Sequence, residues 1–100
     1  MVTAKLSPEA HASILLMVAA KTRDQARKAW RSARAHPNEK TLRAAFRACT
    51  LASMCATRAA KAWARDAPIA HRLIADAKKL DAAAAEYKDR LVVAVVGPDS

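Results

Sequence analysis

The sequence has almost no glycine: a single one, Gly97, in 100 residues. Rossmann domains, P-loops and most all-β folds need interior glycines for tight turns or phosphate cradles, so each is excluded. Only four residues are aromatic, which leaves few large side chains to build a core. Acids are scarce as well, nine against 18 lysines and arginines, for a net charge of +9. What the chain has in quantity is alanine, 27 of its 53 apolar residues. That apolar content argues against disorder, and the length makes one domain.

The two cysteines, Cys49 and Cys55, are six residues apart in a strongly helical stretch. At 100° per residue they point about 120° away from each other, so they cannot bridge within one helix. Two unpaired thiols fit a reducing, cytoplasmic setting and two small core residues. Residues 14–20 form an apolar run of seven, far short of the roughly 20 that cross a bilayer. Pro8, Glu9 and His11 stand where the basic region of a signal peptide belongs, so the run reads as buried helix and no membrane is expected.

Prolines punctuate the rest. Ser7-Pro8-Glu9 is a helix start: a hydroxyl cap, a proline in the first turn, then an acid at the positive end of the dipole. His36-Pro37-Asn38-Glu39 is the first break, with Asn38 as cap. Asp66-Ala67-Pro68 is the second, with Asp66 as cap, and Gly97-Pro98 is a stop. These marks predict helices at 8–35, 38–65 and 67–96, each about 42 Å long. The Val92–Val96 run could extend as β structure; a last helical turn or two is the favoured reading.

Equal lengths and short turns predict an all-α, antiparallel up-down-up three-helix bundle. The second helix places Leu42, Phe46, Cys49, Ser53, Ala56, Ala60 and Trp63 at spacings of three and four. The third does the same with Leu73, Ala77, Leu80, Ala84, Tyr87, Leu91 and Ala94. The first is less regular: Leu15, Val18, Thr22, Ala26, Ala29 and Ala33. Folding back at the turns gathers Trp30, Phe46, Tyr87 and Leu91 at one end. Trp63, Ile69, Leu73, His11 and Ile14 gather at the other. The middle, with Thr22, Ser53 and Ala77, is thin, and a homo-oligomer is one remedy for so small a core. Leu16 and Met17 lie off the first helix's seam and are the expected self-association residues.

No catalytic pattern is present. His11, His36 and His71 have no metal-ligand spacing with each other or with the cysteines, and the nine acids are scattered. Asp76 alone sits near a core edge, where a bridge to a neighbouring cation would account for it. No enzyme activity, cofactor, metal or small-molecule substrate is expected.

The cations carry the functional signal. On the second helix Lys40, Arg43, Arg47, Arg58, Lys61 and Arg65 fall within an arc of about 60°, with Met54 on the same line. On the first, Arg23, Arg27, Arg31 and Arg34 share a face. Lines of one sign repel each other and are relieved by an acidic partner, although a plain solvated surface is the alternative. The chain therefore reads as a small non-enzymatic binding protein, an inhibitor or adaptor that docks on and occludes an acidic protein surface. The competing reading is nucleic acid gripped through phosphates without sequence specificity. The basic lines hold no aromatic for base stacking, and arginine with methionine suits a protein interface. Small phage or mobile-element proteins that block a host machine, anti-CRISPR inhibitors among them, share this profile. That likeness is one of class, and no motif carries it.

Overall fold

A computed structural model describes residues 7–97. It contains three helices: α1 (Pro8–Ala35), α2 (Glu39–Ala62) and α3 (Ala67–Val96). The expected caps are in place. Ser7 accepts a hydrogen bond from the Ala10 amide at 3.1 Å, and Asp66 accepts one from the Ile69 amide at 3.2 Å. Asn38 and Thr41 form a reciprocal capping box, each side chain accepting from the other's amide at 3.0 Å. Gly97 closes α3 at φ +92°, a backbone setting that disfavours any side chain. Residues 92–96 are helical, and the Gly97 amide donates to the Val93 carbonyl at 2.8 Å.

The end of α2 differs from the expected boundary. Residues 63–65 are a turn, not helix. Asp66 must take extended backbone to cap α3, at φ −103° and ψ 90°, so the chain has to leave the α2 spiral before it. The Asp66 amide donates to the Trp63 carbonyl at 2.9 Å, which closes the reversal. The Trp63 indole N–H donates to the Ala12 carbonyl at 2.8 Å and ties this turn to the start of α1.

The helices run up, down and up. α1 and α3 each pack on α2, and no Cα of α1 lies within 8 Å of one in α3. The molecule is accordingly a slab of 56 × 35 × 23 Å with α2 in the middle. A central helix must bury a wider stripe than a seam of one row. Beside the expected Leu42, Cys49, Ser53, Ala56 and Ala60, α2 buries Ala45, Ala52 and Ala59, all at 0% exposure and seven residues apart. Small side chains there let both outer helices approach.

Three clusters stack along the bundle. Ala33, Leu42, Ala45 and Tyr87 form the first, with Trp30, Phe46 and Leu91 against them. Ala26, Cys49, Ala52 and Ala84 form the thin middle. Ala19, Ala59, Ala60 and Leu73 form the third, flanked by Leu15, Leu16, Trp63 and Ile69. The two tryptophans thus sit at opposite ends, as the turns imply. Four expectations for α1 are corrected. His11, Ile14 and Val18 are exposed, and Ala19 takes the buried place given to Val18. The helix is rotated so that Leu15 and Leu16, not His11 and Ile14, reach the α2–α3 turn end. Leu16 is therefore half-buried in this chain's own core, whereas Met17 is 66% exposed.

Candidate partner-binding surfaces

The cations expected to act together fall on two different sides of the slab. On α2 the buried residues and the cation line are centred about 160° apart. Lys40, Arg43, Arg47, Arg58 and Lys61 are all exposed on the face turned away from α1 and α3. Arg43 pairs with Glu39 at 2.8 Å, one turn away. Among the described residues Lys40, Arg47, Arg58 and Lys61 make no ion pair. Leu51 and Met54 interrupt this line at mid-helix and are 51% and 50% exposed. Arg65 leaves the line, because residues 63–65 are turn. It flanks Trp63 and Pro68 at the α2–α3 reversal instead.

The α1 row turns the other way, towards α3. Arg23 and Arg27 line a cleft between α1 and α3 whose floor is reached by Cys49 of α2. Arg23 crosses the cleft and donates from Nη1 to Asp76 Oδ2 at 3.1 Å. This is the neighbouring cation that the position of Asp76 called for. Arg23 Nε is shielded from solvent and donates to nothing among the described residues. Further along, the Arg34 guanidinium lies 5.2 Å from the centre of the Trp30 ring, and Arg90 lies 5.9 Å from that of Tyr87. Each such stacking is worth about 0.5–1 kcal/mol at exposed sites. Arg31 is exposed and makes no ion pair among the described residues.

The α3 wall of the cleft adds two cations that sequence reasoning passed over, Arg72 and Lys79. Their spacing was the available signal: Arg72, Asp76 and Lys79 fall at i, i+4 and i+7 on one helical flank. The cleft thus holds four cations, Arg23, Arg27, Arg72 and Lys79, against the single acid Asp76.

The two buried polar residues, Thr22 and Ser53, are engaged within the bundle. Thr22 Oγ1 donates to the Val18 carbonyl at 2.8 Å, and Ser53 bonds the Asp81 carboxylate across to α3. Burial pushes the Cys49 thiol above its ordinary range, which keeps it protonated. Among the described residues no group of three His, Cys, Asp or Glu side chains is placed to hold a metal. No helix among them is long and apolar enough to cross a membrane.

No protein-family model matches the chain, and neither a curated protein nor a solved structure matches it.

Proposed function

We propose that this is a non-enzymatic binding protein that docks the outer face of α2 on an acidic protein surface and occludes it. One observation carries the reading. Leu51 and Met54 stand half exposed at the middle of an uncovered helix face, between Arg47 on one side and Arg58 on the other. An apolar centre with a charged rim is the anatomy of a protein interface, where a few central side chains dominate the binding energy. The unpaired cations around it set partner choice and speed the encounter. A phosphate lattice has no use for the apolar centre.

The test compares capture from the source cell lysate by wild type, Met54→Ala and Arg58→Glu, with and without nuclease. The proposal expects one acidic protein, retained after nuclease treatment and lost with either substitution at a cost of about 2 kcal/mol or more. Capture abolished by nuclease, with Met54→Ala behaving as wild type, would assign the face to nucleic acid. Each lost phosphate contact would then flatten the salt dependence by about one unit.

A further inference from the structure

The cleft between α1 and α3 has a regularity that the α2 face lacks. It consists of two hollows, of about 250 and 130 Å³. On α1 the first is walled by Leu16, Ala19, Ala20 and Arg23, and the second by Arg23, Ala26, Arg27 and Trp30. On α3 the walls are Ile69, Arg72, Leu73 and Asp76, then Asp76, Lys79, Leu80 and Ala83. Adding seven to every residue of the first hollow gives the α1 and α3 walls of the second, to which α2 adds Cys49. The hollows therefore repeat at a heptad, about 10.5 Å apart along the bundle.

We infer that this cleft is a docking groove for one helix of an acidic partner protein, held by large apolar side chains at i and i+7. Each hollow has the size of one or two side chains, not of a free-standing ligand. Each helix contributes an i, i+3, i+4, i+7 set to each hollow, and sets of that kind recurring every seven residues are what a coiled-coil helix meets with successive knobs. An extended strand presents side chains to one face about every 6.7 Å, which does not match that spacing. The rims select the charge. Arg27, Arg72 and Lys79 have no ion pair among the described residues, and Arg23 is shared with Asp76 while its Nε lacks an acceptor. Carboxylates flanking the knobs would meet all four. A second copy of this chain is a poor occupant, because it would bring a helix of a +9 molecule to a basic cleft. The groove lies on the opposite side of the slab from Met54 and stands independently of the α2 reading.

The probe is a synthetic acidic helix of about 21 residues, three heptads long. It carries leucine at i and i+7, glutamate on both flanks, and alanine and glutamine elsewhere. The control has the same composition with the second leucine moved two positions, off the binding face. Binding is followed by calorimetry on the full chain. The expected result is one-to-one binding of the probe, with the control weaker by about tenfold, the worth of about 1.4 kcal/mol. Arg72→Glu and Lys79→Glu change exposed side chains and leave the core alone; each is expected to weaken the probe about tenfold. Asp76→Asn removes the one acid among the described residues of the cleft and is expected to strengthen it, a sign that loss of a structural bridge would not produce. Arg58→Glu on α2 is expected to change nothing. Equal affinity for probe and control, equal loss from Arg58→Glu, or no binding of the probe would each overturn the inference. None of these results bears on capture through Met54.

Discussion

The alanines at 0% exposure on α2 make a sharp demand on the packing. Ala52 sits in the thinnest layer, against Ala26 of α1 and Ala84 of α3. Ala52→Leu adds three carbons where the facing residues are themselves alanines. Cys49, Phe46 and Leu80 of the same layer can shift only in part, so the helices must separate. Overpacking of this kind costs about 1–3 kcal/mol, and alanine facing alanine on both sides places Ala52 at the upper end. At about 4–8 °C per kcal/mol for a domain of this size, the midpoint should fall by about 10–20 °C. Thermal unfolding followed by circular dichroism measures it directly. Ala44→Leu, about two turns away on the same helix but exposed, is the control and should stay within about 0.5 kcal/mol of wild type. A leucine at 52 that leaves the midpoint unchanged, or raises it, would mean that the three helices stand farther apart than described and that α2 is not the central element.

Other expectations follow from single contacts. Asn38→Ala removes one half of the capping box and should cost about 1 kcal/mol in urea unfolding, with Thr41→Ala adding little more. A maleimide reagent should label half-buried Cys55 in the native protein while buried Cys49 reacts only on unfolding; equal rates would contradict the placement of Cys49. Burial raises both the Cys49 thiol and the Tyr87 phenol, so the native chain holds these protons longer than the unfolded one. Stability should be full below the unfolded thiol value of about 8.5 and fall as pH rises towards the raised values, and Cys49→Ala should flatten the first part of that decline. Met17 is 66% exposed, with Ile14 and Val18 at 39% on the same helix. If that patch joins two copies, sedimentation should show a dimer at high micromolar concentration that Met17→Glu abolishes, and a monomeric wild type refutes it.

How much of this was legible depended on how distinctive each residue type is. The turns announce themselves, because proline, asparagine and aspartate at a helix start have few other uses. The end clusters were readable for the same reason, since four aromatics and a handful of leucines admit few arrangements. Alanine carries no such signal. Ala45, Ala52 and Ala59 are fully buried while Ala44 and Ala62 on the same helix are exposed, and nothing in the letter separates them. One position of the α1 seam was misplaced, Val18 for Ala19, for this reason, while Thr22, Ala26 and Ala33 are buried as expected. The division of the cations between two sides had a different cause. Spacing assigns each residue an angle on its own helix, but not the side of the α1–α2 pair on which α3 lies. That handedness decides whether the Arg23 row faces solvent or Asp76.

While α1 and α3 meet through side chains such as Arg23 and Asp76, the close backbone packing in this protein is between neighbours in the chain, α1 on α2 and α2 on α3. Both interfaces are therefore closed by turns of three or four residues, at 36–38 and 63–66. The entropic toll of bringing partners together is small when so few residues separate them. Most of the packing joins consecutive helices, so the chain is expected to fold with the helical bundles, in microseconds to milliseconds. A core built largely of alanine gives modest stability, so the same topology that speeds folding leaves unfolding fast as well. The molecule should open and reclose many times within the lifetime of an ordinary complex. A partner that holds α1 against α3 would then act less by adding contacts than by stopping that traffic.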